Sequence, residues 1–391
     1  MRIRAAAART INAGAIAVAA AAYVAVVAPV SRLAGRVRRR RGLKPRILWA
    51  GTPLITLGYL ARADRLRGYE SRSLVLHVYD INSAADFDYV LDRLERVPGI
   101  RLLVPYAVFL WAGFRFDIFG FFFDGGILSR TPHWRTELVL LKLAGKKIVV
   151  LPYGGDARLP SRTRALDRWN AYTDVPVGEE DRDEEDVRAH LKAFGRHADV
   201  ILGNNDLVED LPRVDGILPY PIDQSRFVAV AAPEDGIVTI VHASNHRHYK
   251  GTRFLEAAVA RLEAEGLPVE LDVVEGLTQE EARRHYERAD IVASDFLVGG
   301  YANFAVEAMA LGKPVLSYLR ERTARFHPEW RGCPVVSASP DELYDELRRL
   351  VLAAELRREL GSRGPDYVRR VHSLEAVGEL MDGVYSRLWS H

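Results

Sequence analysis

From residue 46 onward, short runs rich in Val, Ile, Leu and aromatic residues alternate with stretches of helical spacing, and the alternation begins twice. That pattern demands a parallel sheet covered on both faces, because each strand needs a crossover helix before the next. The first round reads RILWAG (46–51) and SLVLHVYD (73–80) as strands and ADFDYVLDRLERV (85–97) as a helix. It continues with RFDIFGFFF (115–123), KKIVVLPYGG (146–155), ADVILGNN (198–205) and DGILPYPID (215–223) as strands. The second round starts at GIVTIVHAS (236–244). A helix follows over 252–266, where Phe254, Leu255, Ala258 and Leu262 share a face and Gly266 stops it. PVELDVVEG is the next strand, and TQEEARRHYERA is a helix with Thr278 as N-cap. DIVASDF, the helix NFAVEAMALG (303–312), KPVLSYL and helices over 339–361 and 373–389 complete the round.

The expected fold is therefore α/β, with two Rossmann-like halves. The boundaries read as an apolar and polybasic segment at 1–44, a first domain at 45–228, a second at 229–372, and a C-terminal helix at 373–391 packing back toward the first. Hydrophobic residues make up 48% and charged residues 27%, enough apolar side chain for two cores and too much charge for a polytopic membrane protein. A single cysteine, Cys333, excludes an intramolecular disulfide and a Cys-rich zinc site. A net charge of +2 gives no reason to expect nucleic acid as a partner.

Residues 13–30, AGAIAVAAAAYVAVVAPV, carry no charge. As a helix they would measure roughly 27 Å, slightly less than a bilayer core. Arg32, Arg36, Arg38, Arg39, Arg40, Arg41, Lys44 and Arg46 follow, against only Arg2, Arg4 and Arg9 before. This asymmetry favours a membrane-associated helix, spanning or interfacial, with the C-terminal side in the cytoplasm. Eight basic residues just after the apolar run oppose a cleaved signal peptide, and a buried Ala-rich helix is the third reading.

Ligands of open parallel sheets sit at the carboxyl ends of strands, so the loops after strands are the places to search. HASNHRHYKG (242–251) lies directly after a strand and directly before a helix. It brings Arg247 and Lys250 to the strand end, ahead of a helix N-terminus, an arrangement that suits an anion. GGYANFAVEAMALGKPV (299–315) is the second such loop. Gly299 and Gly300 would let a backbone approach a ligand, Asn303 and Phe304 open the helix, and Glu307 stands one turn further in, where it could accept two ribose hydroxyls. Each loop also has a plain structural reading, as a solvated polar turn and as a capped helix start. His242, His246 and His248 have no carboxylate or cysteine at ligand spacing, so no metal is expected. GFFFDGG (120–126) reads first as core strand plus turn, and otherwise as an acceptor groove or a membrane-facing patch.

The stretch 236–318 resembles the nucleotide-sugar domain of GT-B-fold glycosyltransferases, and is most similar to glycosyltransferase family 4. EAMALGKPV (307–315) matches that family's motif ending residue for residue, and Arg247 and Lys250 match its basic pair. The likeness continues more weakly from residue 46 to the end. GTP (51–53) resembles the Gly-containing first loop, and LLKLAGKKIVVLPYGGDAR (140–158) the strand leading into a His-Gly-x-Asp loop.

The resemblance implies two Rossmann-like domains facing a central cleft. It also implies a nucleoside-diphosphate-sugar co-substrate, a retaining transfer and no cofactor or metal. Arg247 and Lys250 would neutralise the diphosphate and Glu307 would hold the ribose. Gly51, Thr52, Tyr153 and Asp156 would border the transferred sugar and acceptor. The acceptor is expected to be a glycan or lipid-linked molecule at the cytoplasmic face of the cell membrane.

Two positions depart from the family pattern. Gly299 stands where the first glutamate of the pair would be, and Tyr153-Gly154-Gly155-Asp156 replaces His-Gly-x-Asp. Tyr153 and Asp295 are the substitute polar groups. A degenerate GT-B protein that binds nucleotide or glycan, or scaffolds a complex, is the alternative. A sugar-nucleotide epimerase ranks behind both.

Overall fold

The structure is a computed structural model that describes residues 20–95, 101–231 and 236–390. Its contacts divide the chain into two units: 1–156 with 187–202 and 378–391, and 157–186 with 203–377. The division does not fall at 228/229. Residues 157–186 and 203–228 associate with the second sheet's unit.

In the first unit, α1 (Ala20–Arg40), with Tyr23–Val27 wound as a π-helix, precedes β1 (Arg46–Ala50), α2 (Ile55–Leu66), β2 (Glu70–Val75) and β3 (Tyr89–Val90). Then come α3 (Val104–Arg115), β4 (Ile118–Phe122), α4 (Trp134–Leu143), β5 (Lys147–Leu151), α5 (Glu184–His197) and β6 (Val200–Gly203). The strands run in the order β3-β2-β1-β4-β5-β6, all parallel. β1, β4 and β5 are buried on both faces, which is why they read as unbroken apolar runs. Phe121, Phe122 and Phe123 are fully buried, so GFFFDGG is core strand plus turn. Gly120 is required there, because a β-carbon would stand 2.1 Å from the Trp49 ring.

Two expectations are corrected in this unit. The strand expected over 73–80 occupies Glu70–Val75. The helix expected over 85–97 is interrupted by β3, whose Tyr89 and Val90 pair with Leu74 and Val75, leaving a helical turn at Asp92–Glu95. Pairing is fixed by Asp88, whose carboxylate accepts from the Ser73 N–H at 2.8 Å and the Ser73 hydroxyl at 3.0 Å. Helix α3 carries apolar side chains on almost every face, so no amphipathic period marks it in the sequence.

The second unit contains β7 (Val238–Ala243), α6 (Thr252–Ala264), β8 (Val269–Val274), α7 (Gln279–Arg288), β9 (Ile291–Ala293), α8 (Asn303–Ala310), β10 (Val315–Ser317), β11 (Val335–Ser337), α9 (Leu343–Leu352) and α10 (Ala354–Val371). Its five parallel strands run β11-β10-β9-β7-β8. Thr278 caps α7 as the sequence predicts: its hydroxyl accepts from the Glu281 N–H, and the Glu281 carboxylate accepts from the Thr278 N–H.

The last helix, α11 (Leu374–Trp389), belongs to the first unit from Gly378 onward. There the Tyr385 hydroxyl donates to the buried Asp64 carboxylate at 3.0 Å, alongside Trp49 Nε1 and Ser71 Oγ.

Each strand order reverses once. In the first sheet the reversal lies between β1 and β4, in the second between β7 and β9. At such switch points the crossovers leave on opposite faces of the sheet, and the strands' carboxyl ends open a crevice.

Candidate functional site

The second unit's switch point is formed by the loops after β7 and β9. After β7 the chain makes one helical turn, Arg247–Lys250, and leaves it through Gly251 at φ +76°. Lys250 Nζ lies 3.3 Å from Asp295 Oδ1, and Asp295, in the loop after β9, is buried. The two loops are also joined by backbone, since the Phe296 N–H donates to the Lys250 carbonyl at 3.0 Å. Arg247 faces elsewhere. Its half-exposed guanidinium bridges Glu275 at 3.1 Å and Glu256 at 3.3 Å. Both cations expected to meet an anion are thus held by carboxylates. The Arg247 pairs are exposed and cheap to exchange, whereas the Lys250–Asp295 pair is largely desolvated.

His242 is a core residue. Its Nδ1–H donates to the Ala293 carbonyl and its Nε2 accepts from the Thr252 hydroxyl, both at 2.8 Å. Burial holds it neutral and pulls its pKa down to about 4.

Helix α8 begins after Gly299, Gly300, Tyr301 and Ala302 with no side chain capping it, so its first N–H groups are left for solvent or a ligand. Asn303 begins the helix as expected, with Ala302 at the cap position. The Phe304 ring is buried against Tyr286, 4.6 Å between centroids, so only its backbone remains for the donor role expected of it.

The two glycines do not hold space for a ligand; side chains of this chain fill it. A β-carbon at Gly299, where φ is +86°, would stand 2.7 Å from Arg320 Cζ. One at Gly300 would stand 2.2 Å from Asn205 Oδ1.

Glu307 is buried one turn into α8 and accepts from Gln279 Nε2 at 2.5 Å. Burial pushes its carboxyl up to about 7, opposed by the Gln279 hydrogen bond and then by Arg226.

The first unit carries its own cluster at the β1/β4 switch point. Thr52 Oγ1 donates to Asp124 Oδ2 at 2.5 Å, and the Tyr153 hydroxyl donates to the same oxygen at 2.8 Å. Gly51 (φ +132°) allows the first loop to approach, since a β-carbon there would lie 2.7 Å from the Gly125 carbonyl oxygen. Asp156 accepts from the N–H groups of Phe123, Tyr153 and Gly154 at 3.0, 2.9 and 2.9 Å. Burial, and after it the charge of Asp124, raises the Asp156 carboxyl far above the usual carboxylate range. Thr52, Tyr153, Asp156 and Gly51 are thus gathered in one cluster, with Asp124 among them.

Sequence reasoning missed two residues. Asp124 sits inside GFFFDGG and read as a turn; its position directly after a strand at a sheet reversal was the available signal. Arg320 had none. It comes after β10 and is buried, with Nη2 donating to the Trp169 carbonyl at 3.0 Å and Nε 3.2 Å from Asp167.

Among solved structures, the chain is similar to sucrose-phosphate synthase from Thermosynechococcus elongatus, at 14% identity and TM-score 0.61 over 89% of this chain and 99% of that one. Anabaena HepE, solved in complex with UDP-glucose, is similar at 11% identity and TM-score 0.56 over 88% and 100%. A glycosyltransferase from Rickettsia africae is similar at 12% identity and TM-score 0.55 over 88% and 98%. No protein-family profile and no curated protein matches the chain. Two parallel α/β sheets shared with these structures give the GT-B fold, and at such identities the fold alone.

Proposed function

We propose that this protein is a glycosyltransferase that moves a sugar from a nucleoside-diphosphate sugar to an acceptor. The observation that carries this reading is the second unit's switch point, where Lys250 and the uncapped start of α8 accompany a GT-B fold. In the transfer, the bond from the anomeric carbon to the diphosphate oxygen breaks and one to the acceptor oxygen forms, with loss of the acceptor's proton. Negative charge grows on the departing diphosphate. Lys250, released from Asp295, Arg247, released from its exposed glutamates, and the first N–H groups of α8 would stabilise it. Glu307 would hold the ribose. On the first unit, the Asp124–Asp156 cluster, with Thr52 and Tyr153, would offer carboxylates and hydroxyls to a sugar or acceptor.

On the resemblance of 236–318 to family 4, we extend the proposal to retention of anomeric configuration without a metal ion. From the N-terminal segment, we extend it to a glycan or lipid-linked acceptor at the cytoplasmic face of a membrane.

A second reading, nucleotide or glycan binding without catalysis, is favoured by two observations. Both cations carry carboxylate partners, and Arg320 fills the space beside Gly299.

The test is a panel of nucleoside diphosphates and their sugars, scored by thermal stabilisation and by donor turnover. A ligand at 100 times its Kd adds about 2.7 kcal/mol. The transferase reading expects stabilisation and turnover by the wild type, and loss of both in Lys250→Ala. Stabilisation without turnover or hydrolysis selects the binding reading, and stabilisation by none of the panel rejects the transferase reading and nucleotide binding alike.

A further inference from the structure

We propose that helix α1 lies flat on an anionic lipid surface, clamped to the first unit along one side and presenting the other side to the bilayer. This deepens the membrane reading of the N-terminal segment and is independent of the transferase reading. Residues 13–19 of the apolar run lie outside the described residues; the structure describes Ala20–Arg40, which by length and composition alone could cross a membrane.

The contacts of α1 argue for lying along the surface instead. Tyr23, Val27, Ser31 and Gly35 recur every four residues and are all buried. Tyr23 stacks on Phe109 of α3, with centroids 4.7 Å apart and planes at 16°. A β-carbon at Gly113 would meet Val27 at 2.8 Å and Tyr23 at 2.9 Å, so α3 is notched to receive the helix. Ser31 Oγ donates to the Gly113 carbonyl at 2.8 Å. Further along, Arg38 Nε lies 3.4 Å from Asp117, and the Arg39 guanidinium lies over the Trp389 ring at 4.8 Å. The Trp389 indole N–H in turn donates to the Leu43 carbonyl at 3.0 Å. The clamp therefore runs from residue 23 to residue 39. A helix held this way along its length cannot pass through hydrocarbon without losing every one of these contacts.

The far side of α1 is built for lipid. Val26, Val30, Leu33 and Val37 fall at i, i+4, i+7 and i+11, one stripe, and are 39% to 63% exposed. Arg32, Arg36, Arg40 and Arg41 are exposed beside that stripe. No Asp or Glu occurs before Asp64, so no carboxylate adjoins the stripe in sequence; Arg38, on the clamped side, meets Asp117 by tertiary contact. An apolar stripe flanked by arginines is the pattern of a helix lying in the headgroup layer, with aliphatic arginine stems along the acyl boundary and guanidinium groups on phosphates. A second copy of the chain is the competing occupant; a surface of four long cations repels its own image, which favours the anionic lipid.

The test uses the full chain. Wild type is expected to co-sediment with vesicles of 30% phosphatidylglycerol in phosphatidylcholine and at least tenfold less with phosphatidylcholine alone. Val30→Asp/Leu33→Asp is expected to lose at least tenfold in vesicle binding with an unchanged Tm, because both side chains are exposed. Arg36→Gln/Arg40→Gln, a milder surface change, is expected to abolish the preference for the anionic vesicles. Carbonate extraction at pH 11 is expected to release the wild type. Retention after carbonate would mean a spanning segment and overturn the proposal. So would equal binding to both vesicle types, or a concentration-dependent dimer that Val30→Asp/Leu33→Asp disperses without any change in vesicle binding.

Discussion

The guanidinium of Arg320 lies against the α-carbon of Gly299, in the space that any side chain at position 299 would enter. Gly299 holds φ +86°, a left-handed conformation that L side chains resist. A glutamate placed at position 299 therefore has no room beside Arg320. Gly299→Glu is expected to destabilise the protein by roughly 2–4 kcal/mol, combining backbone strain with overpacking. Gly299→Ala should cost less. Arg320→Ala should relieve part of the Gly299→Ala penalty, so that the double variant is more stable than the sum of the singles predicts. Urea unfolding of the four proteins measures the coupling; strict additivity would show that the contact carries no energy.

Lys250 and Asp295 form an ion pair that the proposed diphosphate would have to open. Asp295→Asn removes the competing carboxylate and keeps the side chain's shape. Nucleoside diphosphate binding is expected to tighten by about tenfold, the size of one charged contact's worth of free energy. Lys250→Ala acts oppositely. It leaves a buried carboxylate without its cation, at a cost of roughly 3 kcal/mol in stability, and it weakens the nucleotide. Titration calorimetry on the two variants gives the sign in each case. Weaker binding in Asp295→Asn would mean that the aspartate itself touches the ligand.

Asp156 is the acceptor for three backbone N–H groups in the first unit. Asp156→Ala is expected to lower stability by about 3 kcal/mol or more, because buried donors lose their partner. Asp156→Asn keeps one carbonyl oxygen and should cost about half of that. Unfolding midpoints in urea test the order. Equal losses in both variants would place the cost in the lost charge rather than in the hydrogen bonds.

The alternation of strands and helices made the fold legible, because buried parallel strands are continuous apolar runs and their crossover helices are amphipathic. Strand β3 was hidden, since two residues at a sheet edge carry no periodicity, and α3 was hidden because it is apolar nearly all round. At the candidate site, Glu307, Lys250 and Arg247 are proposed from their places in the segments that follow strands. Their partners could not be named this way. Asp295, Gln279, Glu256 and Glu275 reach these groups by tertiary contact, and nothing in local spacing reports whether a cation is open or already engaged. The same limit applies to the glycines. GG before a helix signals close approach, but whether a ligand or an arginine comes close to Gly299 is decided by Arg320, far along the chain.

Under the proposed ribose role, Glu307 gives donor binding a pH dependence of definite sign. Its carboxyl is raised from 4.5 to about 7 in the folded protein, mainly by burial. Between those values the folded state binds more protons than the unfolded one, so this group's contribution to stability falls as pH rises through that window, by roughly 3–4 kcal/mol in all. Ribose hydroxyls donating to the carboxylate favour its ionised form. Binding of a nucleoside-diphosphate sugar, whose diphosphate does not titrate in this range, should therefore release a proton and tighten from pH 5 to pH 8. Calorimetry in buffers of different ionisation enthalpy reads the released proton directly. Glu307→Gln is expected to remove both the proton release and the fall in stability with pH, while weakening the ribose contact. If wild type and Glu307→Gln bind the donor with the same pH profile, Glu307 does not hold the ribose.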